Sequence, residues 1–390
     1  MLCGAYAKLV ELKCLALSMK VAYLLGSLSR GGTETLLLDV FRNASAAEFP
    51  FIGVHRRGGP LLNDFAATSP DFYCCAPRPF RWLSYLRRLR RLLLSQQVTI
   101  VHAQQSIDAL YASLATIGTS IKVVQTFHGF DCESSFFERL IIRLSICFSD
   151  DVCFVSNYQR EYYLKRYSVL RAEKAHVIYN GVDFLKLDSK ESPNPTLPTK
   201  VDPASRGMKL AMVGNFVRGR AQKSLLQFLL DLHQAAVPFD FYFVGKRNDV
   251  EPWRYDECVR FCKQHQLDEV HFLGSRSDVP QILHQLDAFV YATDHDTFGI
   301  AVVEAMAAGV PVFVNDYGVM TEVTNQGEWA TLYRTGNSDD LLHRFLDFYA
   351  NPTVAQQKAA LAAAAVRERY SILSHLQQLY ALYSRYTKKN

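Results

Sequence analysis

The chain has 390 residues, of which 49% are hydrophobic and 21% are charged, and its formal net charge is +5. This composition is ordinary for a globular protein, and the small net charge gives no support to nucleic-acid binding. One hydrophobic core does not organise a chain of this length, so two domains are expected. Nine cysteines, an odd number without framework spacing, indicate free thiols in a reducing compartment.

The N-terminal stretch, residues 1–18, lacks the pattern of a signal peptide because Lys8, Glu11 and Lys13 interrupt its apolar run. Met19 begins a clean strand pattern. We therefore expect either that the chain starts there or that residues 1–18 are a peripheral extension. No apolar run approaches the ~20 residues that a transmembrane helix needs, so a cytoplasmic location is expected.

Short apolar runs alternate with helical patterns along the rest of the chain. Strand-like runs of the first half cover residues 21–28, 98–104, 121–129, 150–157 and 174–183. Those of the second half cover residues 208–215, 239–246, 269–275, 286–293 and 310–316. Between the halves, the proline-rich residues 186–207 have the composition of a linker. The alternation predicts two tandem, doubly wound parallel-sheet domains of Rossmann type, which bind ligands at the carboxyl ends of their strands.

The strongest motif, residues 287–314, predicts a helix start beside the end of a strand. A helix that begins between Thr297 and Gly299 would point free N–H groups and a positive dipole end at an anion. Gly299 would let a phosphate approach the backbone, Glu304 would bind ribose hydroxyls, and Asp296 would bind sugar hydroxyls. In the alternative interpretation, Thr297 only caps the helix and Glu304 is a solvated residue.

Two carboxylates near this helix start, Asp294 and Asp296, also resemble an Asp-x-Asp metal motif. Such a pair binds Mg²⁺ or Mn²⁺ through diphosphate oxygens. That motif belongs to transferases with a single mixed-sheet domain, whereas this chain has two parallel halves. We therefore expect no metal site.

A second candidate phosphate site lies in "VGNFVRGRAQKS", residues 213–224. Gly214 and Gly219 have the spacing of the phosphate-binding loop of nucleotide hydrolases. However, Arg220 replaces the lysine of that loop, and Ala221 replaces the hydroxyl residue that holds Mg²⁺. The segment is therefore not a nucleotide-hydrolase loop, and it is a candidate phosphate site of another kind.

From residue 19 to residue 385 the chain resembles the retaining glycosyltransferases of family 4, which have the GT-B fold. Their C-terminal signature is E-x7-E, within E-[GST]-F-G-x4-E-A-[LM]-A-x-G-x-P. The corresponding residues here are Asp296, Thr297, Phe298 and Gly299, then Glu304, Ala305, Met306 and Ala307, then Gly309 and Pro311. The first acid is aspartate rather than glutamate, which shortens its reach by one methylene.

This resemblance implies that a C-terminal domain, residues 208–365, binds the nucleotide-sugar donor. The strand-end Gly214 and the guanidinium of Arg220 would contact the diphosphate, with Arg218 and Lys223 as the next candidates. Further donor contacts are implied for Thr297, Phe298, Gly299, Ile300 and, from a later loop, Glu322. Catalytic roles are implied for His128, Asp296 and Glu304.

The resemblance also implies that an N-terminal domain, residues 19–190, binds the acceptor across a cleft from the donor. Gly31 and Gly32 lie in a glycine-rich loop that would let donor or acceptor approach the backbone, although a tight turn explains the pair equally well. His128, in "TFHGFD", would face the donor sugar. Residues 366–390 would form a C-terminal helix that packs back on the N-terminal domain.

Arginines alternate with leucines at near-helical spacing in residues 78–94. They are Arg78, Arg81, Arg87, Arg88, Arg90 and Arg91. One interpretation is a basic amphipathic helix on an anionic membrane, which would place the protein at the inner face of the cytoplasmic membrane. The other is a helix whose leucines face the sheet and whose arginines are solvated. The sequence leaves both open.

The expected function is retaining transfer of a sugar from a nucleotide-diphosphate donor to a hydroxyl of a glycan or lipid-linked glycan. UDP is the expected nucleotide, a bacterial surface polysaccharide or lipopolysaccharide is the expected product, and neither cofactor nor metal is expected. One alternative is a sugar-nucleotide epimerase of the same fold, which would need acid–base residues but no acceptor groove. Another is a catalytically silent nucleotide-sugar-binding subunit, which the aspartate at position 296 suggests.

Overall fold

The computed structural model describes residues 19–29, 31–44, 50–68, 71–77, 81–131, 135–188, 196–200 and 207–386. The expectations about residues 1–18 and Arg78 therefore lie outside the described residues. The chain divides into two compact units. The first comprises Met1–Gly181 and Ile372–Asn390, and the second comprises Val182–Ser371.

The first unit is built on a seven-stranded sheet. Its strands are β1 (Val21–Leu25), β2 (Phe51–His55), β3 (Phe72–Cys74), β4 (Ile100–Ala103), β5 (Lys122–Phe127), β6 (Asp151–Phe154) and β7 (Ala175–Val177). Their spatial order is β3-β2-β1-β4-β5-β6-β7, and every pair is parallel. Val21 lies opposite Phe51 on one side and Ile100 on the other. All of β1 is buried, as expected for a central strand with helices on both faces.

Helices follow the strands of the first unit and cover both faces of its sheet. They are α1 (Gly32–Ala44), α2 (Leu62–Thr68), α3 (Trp82–Ser95), α4 (Ser106–Ala115), α5 (Phe136–Phe148) and α6 (Asn157–Arg166). Because side chains alternate along a strand, Tyr23 and Leu25 pack with α1, whereas Ala22 and Leu24 pack with α3 and α4. The sheet is thus the middle layer of three.

The second unit repeats this architecture. Its strands are β8 (Met208–Val213), β9 (Phe239–Val244), β10 (Val270–Gly274), β11 (Ala288–Tyr291), β12 (Val312–Asn315) and β13 (Thr331–Tyr333), in the parallel order β10-β9-β8-β11-β12-β13. Its helices are α7 (Phe184–Asp188), α8 (Leu226–Gln234), α9 (Trp253–Gln264), α10 (Val279–Leu283), α11 (Ile300–Ala307), α12 (Gly318–Val323), α13 (Ser338–Ala350) and α14 (Thr353–Arg369). The predicted pair of doubly wound parallel sheets is confirmed.

The last helix, α15 (Ile372–Tyr383), returns to the first unit, where Leu376 and Leu379 join the core beside α1. The predicted packing of a C-terminal helix on the N-terminal domain is thus confirmed, but its predicted start at residue 366 is wrong. Residues 366–369 belong to α14, and the non-helical residues Tyr370 and Ser371 separate α14 from α15. The helix ends there because the Tyr370 carbonyl accepts a hydrogen bond from the Val182 N–H at 2.8 Å.

Part of the predicted linker is packed rather than free. Leu197 is buried, and the Lys200 N–H donates to the Asp240 carboxylate on β9 at 2.9 Å. The Pro198 carbonyl accepts a hydrogen bond from the Tyr242 hydroxyl at 2.9 Å. Residues 196–200 therefore run along the second sheet, held by contacts that a proline-rich composition does not reveal.

A buried polar network joins α15 to the first sheet. His102, on β4, is hydrogen-bonded to the Tyr383 hydroxyl at 2.5 Å and to the Thr126 hydroxyl at 2.6 Å. The Tyr383 hydroxyl also donates to the Tyr23 hydroxyl at 3.3 Å. On the same helix, His375 is hydrogen-bonded to the Tyr179 carbonyl at 2.7 Å. Burial lowers the pKa of His102 to about 3 and that of His375 to about 4, so both are neutral in the folded protein at pH 7.

Gln125, in the middle of β5, is a buried polar side chain whose amide group is unsatisfied. It is 1% exposed, and neither its amide nitrogen nor its amide oxygen has a hydrogen-bond partner in the described part of the chain. An unsatisfied buried polar group costs about 1–3 kcal/mol. We expect Gln125→Met, which has a similar shape, to raise the free energy of unfolding by about that amount in a urea titration. A loss of stability would instead indicate a buried water bound to the amide.

Candidate functional site

Each sheet reverses its strand order at one point, and that point is where doubly wound proteins bind ligands. In the first unit the reversal lies between β1 and β4, and in the second it lies between β8 and β11. The segments that follow these four strands are residues 26–31, 104–105, 214–221 and 292–299. Most residues that the sequence marked as site candidates lie in these segments.

In the second unit, the loop after β8 is fixed to the end of β11. The Thr293 hydroxyl donates to the Gly219 carbonyl at 2.5 Å, and the Ala221 N–H donates to the Ala292 carbonyl at 3.0 Å. Asn315, at the end of β12, accepts from the Thr293 N–H at 2.9 Å and donates to the Thr293 carbonyl at 2.8 Å. These bonds hold the backbone on both sides of Arg220 against the strand end.

Arg220 extends from this loop to Asp296. Its Nη1 lies 2.8 Å from Asp296 Oδ2, and its guanidinium carbon lies 5.7 Å from the centre of the Tyr291 ring. The Tyr291 hydroxyl donates to the same carboxylate oxygen at 3.0 Å. Asp296 is 6% exposed, and its other oxygen accepts from the N–H groups of Thr297 and Phe298 at 2.9 and 3.4 Å. Both oxygens of Asp296 are therefore engaged by the protein itself, and its contact with a donor sugar stays a prediction.

Helix α11 begins directly after these residues. Gly299 precedes its first turn with a φ of 86°, and the N–H groups of Ile300 and Ala301 have no acceptor within the helix. The helix start thus presents N–H donors that no carbonyl of the helix accepts, together with the positive end of the dipole, beside the Arg220 guanidinium. An anionic group is the ligand that this combination favours.

Substituting Gly299 with alanine should be costly because of its backbone conformation. The positive φ disfavours any Cβ by about 1–2 kcal/mol, and the Cβ would also displace the methyl group of Met320, which lies 2.7 Å from the Cβ position. Gly309 is a matched control, because it has a φ of 74° but nothing within 4 Å of a Cβ. We expect Gly299→Ala to lower the thermal midpoint and the affinity for nucleoside diphosphates, and Gly309→Ala to lower the midpoint alone. Equal effects on affinity would contradict this placement of the phosphate.

The remaining candidates of the second unit have other surroundings. The Lys223 side chain is 74% exposed, and its ammonium pairs with Glu257 at 3.0 Å. Arg218 is exposed, and its N–H donates to Glu251 at 2.9 Å. Glu304 is half-buried on α11 and Glu322 is half-buried on α12. Gly214 lies beside Arg220, whose Cδ is 3.3 Å from the Cβ position of that glycine. The structure therefore brings Gly214, Arg220, Asp296 and Gly299 together, and it directs Lys223 to a different partner.

Among the described residues, no group of three histidine, cysteine, aspartate or glutamate side chains could hold a metal ion. The absence of a resident metal stays a prediction. Within the same residues, no helix has both the length and the apolarity required to cross a membrane.

In the first unit, a cavity of about 310 Å³ opens at the reversal point between β1 and β4. Its walls include Gly26 and Ser27 after β1, Glu34 on α1, and Gln104 after β4. His128, after β5, also borders this cavity and is hydrogen-bonded through Nε2 to the Gln104 side-chain oxygen at 2.7 Å. Burial lowers the pKa of His128 to about 3, so the imidazole is neutral at pH 7. Gly31 lies next to this cavity, where a Cβ would approach Glu34 Oε2 within 2.6 Å.

The basic helix α3 packs its leucines on the sheet, and its contact with a membrane stays a prediction. Its leucines at positions 86, 89 and 93 are buried against the sheet, and Arg90 Nη1 donates to the Ala115 carbonyl at 2.9 Å and the Ile117 carbonyl at 2.7 Å. Its opposite face is exposed. That face carries Leu83, Arg87, Arg91 and Leu94, and Arg81, directly before the helix, and Trp82, its first residue, are exposed as well.

Three residues of the second-unit site were missed in the sequence: Tyr291, Thr293 and Asn315. Each lies at the end of an apolar strand and is 2% exposed or less, so the sequence pattern reads them as core. The available signal was their position, because polar groups at the carboxyl ends of neighbouring parallel strands meet at one edge of the sheet.

Comparisons with known proteins identify the family of the chain. The model of Glycosyltransferase Family 4 matches residues 30–184, and the model of Glycosyl transferases group 1 matches residues 196–367. The chain therefore belongs to the family 4 glycosyltransferases, and its fold is GT-B.

Several relatives and solved structures are similar over most of the chain. N-acetyl-alpha-D-glucosaminyl L-malate synthase of Bacillus anthracis is 23% identical over 76% of this chain and 78% of its own length. The O-antigen biosynthesis glycosyltransferase WclY of Escherichia coli is 20% identical over 79% of this chain and 83% of its own. HepE of Anabaena, solved in complex with UDP and glucose, superimposes with a TM-score of 0.78 at 19% identity, covering 94% of this chain and all of that one. At that identity the last comparison supports the fold alone.

Proposed function

We propose that this glycosyltransferase moves a sugar from a nucleotide-diphosphate sugar to a hydroxyl group of a glycan, with retention of the anomeric configuration. The observation that carries the proposal is the position of the Arg220 guanidinium. It is ion-paired with Asp296 and lies beside the start of α11, at the reversal point of the second sheet. A diphosphate group needs a cation and several hydrogen-bond donors directed at its oxygens, and the site around Arg220 and the start of α11 supplies both.

The reaction separates a sugar from a nucleoside diphosphate, so negative charge grows on the leaving phosphate. The Arg220 guanidinium and the N–H groups of Ile300 and Ala301 would stabilise that charge as it develops. Asp296 would hold Arg220 in position through its 2.8 Å ion pair. Glu304, one helical turn beyond Ile300, would bind the ribose hydroxyls. A retaining course follows from same-face attack, in which the leaving phosphate oxygen accepts the proton of the acceptor hydroxyl.

UDP is the proposed nucleotide, and a bacterial surface polysaccharide or lipopolysaccharide is the proposed product. UDP is the nucleotide bound in the solved complex of HepE, a protein of the same fold, and the O-antigen role in the name of WclY supports the product. The proposed chemistry needs no resident metal, because a guanidinium and a helix dipole can take over the charge that Mg²⁺ would neutralise.

Thermal stabilisation by nucleotides tests the donor site. UDP, GDP, ADP and CMP, each at millimolar concentration, are compared with and without Mg²⁺. A ligand at a hundred times its Kd adds about 2.7 kcal/mol to the stability, so a specific nucleotide should shift the midpoint clearly. We expect UDP alone to do so, without Mg²⁺. A shift that requires Mg²⁺ would point instead to Asp294 and Asp296 as metal ligands, and no shift with any nucleotide would contradict the proposal.

Product analysis separates the two alternative functions. A sugar-nucleotide epimerase would convert a UDP-sugar into its epimer without an acceptor, and a silent binding subunit would bind UDP but release no sugar. Glycan-dependent release of UDP, with the sugar recovered on the glycan, is the result expected for the transferase.

We further propose a peripheral contact between the exposed face of α3 and an anionic membrane. Leu83 is 51% exposed, arginines 87 and 91 lie on the same exposed face, and Trp82 is 54% exposed at the first residue of the helix. Each basic residue at such a surface contributes about 1 kcal/mol of attraction. Vesicles of phosphatidylglycerol should therefore bind the protein, vesicles of phosphatidylcholine should not, and the double variant R87E/R91E should lose at least about tenfold in affinity. Equal binding of variant and parent would exclude this face.

A further inference from the structure

We propose that the cavity of the first unit binds the sugar ring that carries the accepting hydroxyl, that this ring is uncharged, and that Glu34 and Gln104 recognise it. This inference deepens the proposed function and rests on it. It names the acceptor end as a neutral sugar rather than a phosphate, a carboxylate or a simple alcohol.

The position of the cavity is the first reason. It lies where the strand order of the first sheet reverses, between the ends of β1 and β4, which is the ligand position of doubly wound folds. Its volume of about 310 Å³ is at the small end of ligand pockets, which suits one ring rather than a long chain. The nucleotide proposed above has its own anion site in the second unit, so this cavity requires another occupant.

An unsatisfied amide at the wall is the second reason. Gln104 is 6% exposed, and its side-chain oxygen accepts a hydrogen bond from His128. Its Nε2 has no acceptor among the described residues. A buried donor without a partner costs about 1–3 kcal/mol, so such a group is expected to meet a ligand or a water. A sugar hydroxyl in the cavity supplies the missing acceptor.

Glu34 provides the complementary acceptor on α1. Its Oε2 lies 2.6 Å from the Cβ position of Gly31, so the glycine is what admits the carboxylate there. Burial raises the pKa of the Glu34 carboxyl above its usual range, which means that the carboxylate has lost part of its hydration. Asp131, at the same wall, is already bonded by the Tyr162 hydroxyl at 2.7 Å and by Arg166 at 2.8 Å. Glu34 is therefore the carboxylate that would accept hydrogen bonds from two hydroxyl groups of a sugar in this cavity.

The charge of the walls disfavours an anionic ligand. Glu34 borders the cavity, the Asp131 carboxylate at the same wall is already ion-paired with Arg166, and the residues described at the walls include neither lysine nor arginine. His128 is neutral, and Glu34 already complements the positive end of α1 from its first turn. A phosphate or carboxylate would therefore meet repulsion, whereas a neutral hydroxylated ring would not.

An aromatic wall completes the match to a sugar. Phe130 borders the cavity, and its ring is fixed by an edge-to-face contact with Tyr162 at 4.8 Å between centres. A pyranose ring has a polar rim and less polar faces, so it fits between an aromatic side chain and hydrogen-bonding side chains. A simple alcohol would use only part of this lining.

Binding of simple glycosides to the full-length protein, saturated with UDP, tests the inference by saturation-transfer NMR titration. The neutral probes are the methyl α-glycosides of glucose, galactose and N-acetylglucosamine, and the anionic probes are glucose 6-phosphate and glucuronic acid. We expect at least one neutral glycoside to bind and both anions to bind at least about tenfold more weakly. Failure of all neutral probes, or equal binding of the anions, would overturn the proposal.

Isosteric variants test whether Glu34 and Gln104 bind the glycoside. Glu34→Gln removes the carboxylate charge, and Gln104→Glu removes the unpaired donor while it keeps an oxygen for the hydrogen bond from His128. Each should weaken the glycoside about tenfold or more, and Thr35→Ala, on the exposed side of the same helix, should leave binding unchanged. Glycoside affinities that stay within twofold in both isosteric variants would refute the assignment.

UDP binding, measured in parallel, distinguishes a failure of the proposed function from a failure of the present inference. If these variants keep UDP affinity and lose the glycoside, both proposals stand. If UDP does not bind the parent protein, the proposed function fails, whatever the glycosides do. If UDP binds and no neutral glycoside does, only the present inference fails.

Discussion

Replacing Arg220 with alanine is expected to lower kcat/KM for sugar transfer by about 10²–10³-fold and to abolish thermal stabilisation by UDP. The guanidinium is held by Asp296 at 2.8 Å beside the start of α11, where the charge of the leaving diphosphate would develop. Lys223→Ala is the matched control, because it removes a nearby cation whose side chain is 74% exposed and whose ammonium is paired with Glu257. Its effect should stay within about fivefold, since exposed ion pairs contribute at most about 1 kcal/mol.

Loss of stability is the competing explanation for an inactive Arg220→Ala protein. The variant leaves Asp296 buried without its cation, and a broken buried pair costs about 3–5 kcal/mol. The thermal midpoint without ligand must therefore be measured for each variant, and assays run well below it. Arg220→Lys retains a charge for the Asp296 carboxylate but loses the planar fork, so it should be more stable than the alanine variant and still impaired. Equal activity losses in Arg220→Ala and Lys223→Ala would contradict the site.

The second large effect expected is a steep loss of stability in mild acid. His102 has a folded pKa of about 3 and His375 of about 4, both below the ordinary value of 6.5. The unfolded chain therefore binds these protons more tightly, so the stabilisation is fully present above pH 6.5 and is lost as the pH falls towards the folded values. For His102 alone the loss is on the order of 5 kcal/mol across that range. Urea titrations at pH 7.5, 6, 5 and 4 should show this decline.

Variants distinguish the contribution of the histidines to the acid-induced loss of stability from that of the carboxylates. Asp131 and Asp240 have folded pKa values below the ordinary 3.8, so their stabilisation is lost only at lower pH, as it falls through those values. His102→Asn should flatten the decline between pH 6 and pH 4, although it lowers stability at pH 7.5 because hydrogen bonds to Tyr383 and Thr126 are lost. His343→Asn, at a position that is 79% exposed, should leave the slope unchanged. An unaltered slope in His102→Asn would show that other groups control the acid transition.

The fold was accessible from the sequence because its signals are local. Runs such as 208–215 and 286–293 are apolar, short and bounded by turn residues, and the structure has β8 and β11 within them. The break at Tyr370 was not accessible, because a hydrogen bond to Val182, nearly two hundred positions earlier, determines it. The same holds for Leu197, which is anchored by partners on a distant strand.

The candidate site was accessible only in part. The motif around Gly299 and Glu304 predicted the helix start, and α11 begins at Ile300. The ion pair between Arg220 and Asp296 could not be predicted, because the two residues are joined by the order of strands in the sheet and not by spacing in the chain. Glu34 lies in the glycine-rich segment that contains Gly31 and Gly32, but the sequence marked neither Glu34 nor Gln104 as a site residue, and only the cavity between them indicates a role.

The discontinuous first unit has a consequence for synthesis on the ribosome. Domains tend to fold as units while the chain emerges, and the second unit, Val182–Ser371, is complete before α15 is made. Until then the nascent first unit lacks Leu376, Leu379 and Tyr383, so the apolar face beside α1 and the hydrogen bond of His102 form only after α15 has been translated. A stop codon shortly after residue 371 would therefore yield a polypeptide with a complete second unit and an incomplete first unit, which is a substrate for chaperones and proteases.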